Sequence, residues 1–97
     1  MKQVNVFEKT GAFAENKDIA RDIRIQDIVH ALENKEKIIL NFDRVDSATQ
    51  SFIHALISDA LREYGNDALD TVIFKSCNKN IKGVVNIVVD YMQEGMD

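Results

Sequence analysis

The sequence predicts an α/β domain with one mixed sheet of about four strands and three helices, in the order β(β)αβαβα. Three observations carry this. Apolar residues recur at helical spacing in three segments, short β-rich runs fall between them, and turn residues separate the two kinds of segment. The chain has 97 residues and a mass of 11.0 kDa, enough for one core and no more, so residues 1–97 are read as a single domain.

Gln3 to Phe7 alternates polar and apolar residues, the pattern of a half-buried strand. Thr10-Gly11 offers a turn, and Ala12-Phe13-Ala14 a short second strand. Asp18 to Asn34 reads as the first helix, with Ile25, Ile28, Val29 and Leu32 on one face, Ile19 and Ile23 extending it, and Asn16 or Asp18 as the cap. Lys37 to Phe42 is an almost unbroken apolar run, which suits a central strand parallel to its neighbours.

After a polar connector from Asp43 to Ala48, Thr49 to Tyr64 forms the second helix. Its apolar stripe is Ile53, Leu56, Ile57, Ala60 and Tyr64, and Gly65-Asn66 stops it. Thr71 to Lys75 is the next strand. Asn78 or Asn80 then caps a third helix that runs to about Met92, with Ile81, Val84, Val85, Val88 and Met92 on its inner face. A right-handed crossover over residues 37–75 makes those two strands parallel.

Hydrophobic residues make up 45% and charged residues 29%, an ordinary globular balance. No run approaches the ~20 apolar residues of a membrane span, and the opening residues lack the apolar centre of a secretory leader. With Cys77 as the one cysteine, no internal disulfide is possible, and a cytoplasmic location is expected. The net charge is −4, which speaks against nucleic-acid binding. Residues 46–70 hold five acidic side chains (Asp46, Asp59, Glu63, Asp67, Asp70) against Arg62 alone, so all of the net charge falls there. Such a segment is either a solvated helix face or a surface that steers a basic partner.

Catalytic and metal-binding patterns are absent. His30 and His54 lack metal-ligand spacing, no CxxC exists, and the four glycines form no phosphate loop. The chain is therefore read as non-enzymatic, with no metal and no cofactor. The most informative segment is Leu40 to Phe52, where a buried strand passes through a polar loop into a helix that opens on small hydroxyl residues. Ser47-Ala-Thr-Gln50 fits a capping box, and Thr49 alone also fits as a cap. The same geometry presents free N–H groups and a partial positive charge, so a hydroxyl there is suited to phosphorylation, and the added charge would detach a docked protein.

Asn41 to Phe52 resembles a pattern of Asn/Asp-Phe-Asp/Ser-x-Val followed by a Ser/Thr-rich turn and Ser-Phe at a helix start. Tyr64-Gly65, Val72-Ile73-Phe74, Cys77-Asn78 and the helix from Ile81 extend the likeness, which covers about residues 11 to 92. On these grounds the chain resembles the STAS-like domain family of unknown function, found in bacteria, archaea and some phages and related to the anti-sigma factor antagonists. The resemblance implies a regulatory signalling module that binds a protein partner, a histidine-kinase-like ATPase, at the start of the second helix. The site residues it implies are Asp43, Asp46, Ser47, Thr49, Gln50, Ser51 and Phe52. Gln50 stands where the antagonists carry their phosphorylated serine, with Thr49 and Ser51 keeping hydroxyls on either side, and Phe52 replaces their glycine. An alternative reading is a small-ligand or nucleotide sensor using a strand-end pocket near Asp43, Asp46 and Cys77. A homodimer through the flank of Ile87, Val89 and Tyr91 on the last helix is a further expectation.

Overall fold

The computed structural model describes residues 2–94. Its elements are β1 (Lys2–Asn5), α1 (Val6–Thr10), β2 (Phe13–Ala14), α2 (Lys17–Ile23), a π-helical turn (Arg24–Ile28), α3 (Val29–Glu33), β3 (Ile38–Asn41), β4 (Ser47–Ala48), α4 (Gln50–Tyr64), α5 (Asn66–Thr71), β5 (Val72–Lys75) and α6 (Lys79–Glu94).

β3 is the central strand of a three-stranded parallel sheet ordered β1-β3-β5. Val4, Leu40 and Phe74 lie in one cross-strand row, and Ile38 and Val72 in the next. This face is buried apart from the exposed Lys2, which lies in the row of Ile38 and Val72, and the half-buried Phe74, whose ring stacks on Phe42 at 5.9 Å. The opposite face carries Gln3, Asn5, Ile39, Asn41, Ile73 and Lys75 and stays at least partly open to solvent, as the alternation of a sheet covered on one side requires. α4 packs between α2 and α6, and its buried stripe is wider than periodicity alone suggests, running through Phe52, Ile53, Leu56, Ile57, Ser58, Ala60 and Leu61.

The structure corrects the single mixed sheet of about four strands. Among the described residues every pairing is parallel, and β2 and β4 form a second, two-stranded sheet. Segments 2–14 and 38–48 run side by side and pair twice. Between the two pairings the first segment winds into α1, while the second turns at Arg44. The Asp46 and Ser47 N–H groups then donate to the Ala12 carbonyl, and Thr49 N–H to that of Ala14. No paired strands are joined by a hairpin, so no antiparallel pair arises.

Val6 and Phe7 belong to α1 and not to the expected strand. Thr10 Oγ1 donates to the Val6 carbonyl at 3.2 Å, and Gly11, at φ 75°, donates to that of Phe7 and ends the turn. α5 is likewise an unexpected short helix, which buries Ala68 after Gly65 has ended α4.

The first helix begins as expected, with Asn16 Oδ1 accepting from Asp18 N–H and Ile19 N–H. Its apolar face does not continue at an α-helical period, because Ile28 follows Ile23 at i+5. The π-helical turn absorbs the extra residue and brings both into the core at 1% and 0% exposure. Ile25, expected on the inner face, is thereby turned out to 52% exposure. Ile25→Ser should therefore leave unfolding free energy within about 0.5 kcal/mol of the parent, whereas Ile28→Ala should cost about 2 to 5 kcal/mol. Urea denaturation checks the pair, and equal losses would contradict the placement of the π-helical turn.

Candidate functional site

The segment from Phe42 to Phe52 turns the chain from the end of β3 into α4. Asn41 Oδ1 accepts the Asp43 N–H at 2.9 Å, starting the turn, and Val45 N–H returns to the Phe42 carbonyl at 3.0 Å. Arg44 adopts a left-handed conformation at φ 73°, and its guanidinium lies over the Phe7 ring at 4.4 Å. Beneath the turn, Val45 is buried. The other side is held by Asn78, whose Nδ2 donates to the Asp46 carbonyl at 2.8 Å and the Val45 carbonyl at 3.4 Å. Asn78 Oδ1 simultaneously accepts the Ile81 N–H at 2.9 Å, the cap expected at the start of α6.

α4 starts as a capped, 15-residue helix. Thr49 Oγ1 accepts the Phe52 N–H at 3.1 Å, so Thr49 is the cap, while Ser47, being part of β4, makes no capping box with Gln50. Asp43, Asp46, Gln50 and Ser51 are exposed, and Ser47 and Thr49 are half-buried. Phe52, expected to contact a partner, is fully buried and anchors the helix start to the core instead.

Gln50 and Ser51 do not stand on an isolated ridge. With Lys17, His54, Ile87 and Tyr91 they line a groove of about 390 Å³ between the first turns of α4 and the second half of α6. Ile87 and Tyr91 are 52% and 69% exposed, and they are one helical turn apart. Val89, which was grouped with them, is half-buried against the core. Lys17 comes to this groove only through the packing of α2 on α4, whereas His54 follows Gln50 by one turn of α4 and its place beside it was legible from helical spacing; Ile87 and Tyr91 were legible as a second apolar flank.

Asp43, Asp46 and Cys77 are not gathered into one pocket. Cys77 lines a different groove of about 570 Å³, with Phe74, Lys75, Lys82, Val85 and Asn86, and neither aspartate borders it. Burial pushes the Cys77 thiol up from its ordinary value of 9.0, and the nearby Lys82 ammonium draws it partly back. A reactive thiolate requires the opposite net direction. His54 lines the α4–α6 groove and His30 lies exposed on α3. Among the described residues no group of three or more His, Cys, Asp or Glu is placed to hold a metal ion, and no helix is long and apolar enough to cross a membrane. In the acidic segment, Asp59 is engaged by Arg24 at 2.7 Å and Arg62 at 3.3 Å, so part of that charge is neutralised on the spot.

Parallel strands, crossover helices and an exposed, capped helix start beside the central strand define an α/β domain. A family model described as a STAS-like domain of unknown function (DUF4325) matches residues 21–82, more than half of the chain, and the chain belongs to that family. The matched span runs from within α2 to the first turn of α6 and includes the whole turn from β3 into α4. Comparisons with curated proteins and with solved structures gave no match.

Two expectations concern the supports of this region. Asn78→Ala removes the α6 cap and the bonds to two loop carbonyls, and should lower unfolding free energy by about 3 kcal/mol at roughly 1 kcal/mol for each of the three lost interactions. Amide exchange should accelerate at Ile81 in this variant, and an unchanged Ile81 rate would argue against the cap. Cys77 should alkylate more slowly at pH 8 than a small free thiol, and more slowly still in Lys82→Ala. Because its folded value is raised, the stability linked to the neutral thiol is present below 9.0 and lost as pH climbs through the raised value. Iodoacetamide kinetics followed by mass spectrometry check both, and alkylation as fast as free cysteine would refute the assigned burial.

Proposed function

We propose that this chain is a non-enzymatic regulatory module that docks a protein partner on the start of α4 and the adjoining α4–α6 groove. The family resemblance suggests a histidine-kinase-like ATPase as that partner. The observation that carries the reading is Ser51, exposed on the first turn of a capped helix and lining a groove bordered by the exposed Ile87 and Tyr91. An aromatic residue beside polar groups on a firm helical scaffold suits a small interface hot spot.

Of the hydroxyls at this helix start, Ser51 is best suited to receive a phosphoryl group. Thr49 already uses its oxygen to accept the Phe52 N–H, so modifying it would disturb the cap. A phosphate on Ser51 would lie near the positive end of α4, where the helix dipole favours it, and would place about −1.5 to −2 charges on the docking surface. Gln50 then acts as a neutral neighbour and not as the switch.

Calorimetric titration with a purified histidine-kinase-like ATPase from the same genome tests this. Ser51→Glu and Tyr91→Ala should each weaken binding by about tenfold, equivalent to about 1.4 kcal/mol. With Mg-ATP present, the parent should gain one phosphoryl group by intact mass and Ser51→Ala should not. Unchanged affinity in both binding variants would remove this surface from consideration. A concentration-dependent dimer abolished by Tyr91→Ala would assign the same strip to a second copy of the chain.

A further inference from the structure

We propose that the free edge of β5, with the groove between it and α6, binds an extended acidic peptide as an added strand. This surface is separate from the docking site proposed above. The sheet order leaves β5 at an edge, paired with β3 alone. The Phe42 N–H donates to the Lys75 carbonyl, which fixes the phase of the ladder: Ile73 and Lys75 direct their backbone groups toward β3, and Val72 and Phe74 direct theirs outward. The Val72 N–H meets the Ala68 carbonyl at the end of α5. The Phe74 N–H and carbonyl therefore face the open side, in position to pair with an incoming strand.

That open side borders the 570 Å³ groove whose far wall is α6. A strand laid along β5 would place alternate side chains between Phe74 and the α6 residues Lys82 and Val85, and its remaining ones on the face of Ile73 and Lys75. The charge of this region is one-sided. Residues 71–89 contain Lys75, Lys79 and Lys82 and no acidic residue, within a chain whose net charge is −4. Among the described ion pairs none involves Lys75 or Lys82, and both are exposed. The other edge differs: the groove beside β1 is bordered by Glu8 and Asp27 together with Lys9, and Lys2 is already paired with Asp27 at 2.8 Å.

Charge complementarity selects the occupant. A second copy added through its own β5 would bring like-charged lysines together, the usual way an edge strand is protected against self-pairing. A small anion would meet the lysines but leave the Phe74 backbone groups unanswered. An acidic extended peptide satisfies both.

Fluorescence anisotropy at low salt, using a labelled peptide of alternating valine and glutamate, provides the test. Two controls are the same peptide with lysine for glutamate and one with a central proline. The glutamate peptide should bind about tenfold more tightly than either control. The double variant Lys75→Glu/Lys82→Glu should reverse the preference toward the lysine peptide, and the bound glutamate peptide should slow amide exchange at Phe74. The single variants keep the test valid should the double variant fold poorly, each weakening the glutamate peptide several-fold. No binding, equal binding of the acidic and basic peptides, tight binding of the proline control, or protection at Gln50 and Ser51 in place of Phe74 would each overturn the proposal. So would a dimer protected at Phe74 without peptide. Ser51→Glu should leave peptide binding unchanged, so failure here and failure of the ATPase docking site are read separately.

Discussion

The side-chain amide of Asn78 joins the turn that leads into α4 to the start of α6, the two elements that border the proposed docking surface. Its oxygen caps α6 through the Ile81 N–H, and its nitrogen holds the carbonyls of Val45 and Asp46 in the turn that leads to α4. That turn needs holding, because Arg44 sits in the left-handed region, at a cost of order 1 kcal/mol for a residue with a Cβ. The cation–π contact with Phe7 returns only about 0.5 to 1 kcal/mol at an exposed position, so it offsets the strain at best. Backbone bonds to Ala12 and Ala14 and the Asn78 amide, each worth about 1 kcal/mol net, therefore decide the conformation. The start of α4 is exposed yet firmly placed because its approach is fixed from two sides and Phe52 is buried below it.

How far the sequence foretold this depends on element length. β3, α4 and α6 were legible because their apolar runs span several periods, and the caps Asn16, Thr49 and Asn78 stand where side-chain chemistry predicts. α1 and α5 are too short to display a period, so Val6 and Phe7 read as strand and Asn66 to Thr71 as connection. Ile25 is turned outward because the stretch holds one extra residue relative to regular helical spacing; the i, i+5 spacing of Ile23 and Ile28 is the signal of it in the sequence. The split into two sheets was not legible, since the partner of a two-residue strand is chosen by tertiary packing. Phe52 could have been assigned to the core, because it lies four residues before Leu56 on the buried stripe.

The distribution of charge separates the two halves of the site region. The acidic excess lies in residues 46–70, but Asp59 is taken up by Arg24 and Arg62, which ties α4 to the helical stretch preceding β3. Part of that charge thus serves packing between helices. Among the described ion pairs none neutralises the lysines of residues 71–89, and two of these lysines line the groove beside the β5 edge. A field of this kind changes association rates and partner choice more than it changes the stability of the fold.

α6 forms a wall of both grooves, and helical geometry determines how. At about 100° per residue, Ile81, Val88 and Met92 align along one buried seam. Lys82 and Asn86 fall on one flank of that seam, toward the edge of β5, while Ile87 and Tyr91 fall on the other, toward the start of α4. A shift of α6 across its seam would narrow one groove as it widens the other. α6 is the one element that the two grooves share, and any influence of one occupant on the other would have to be reciprocal. What resists the shift is the packing of the seam, where β-branched Val88 has little rotamer freedom, and the Asn78 amide at its first turn. The residue that fixes the approach to α4 also sets the position of the helix between the two grooves.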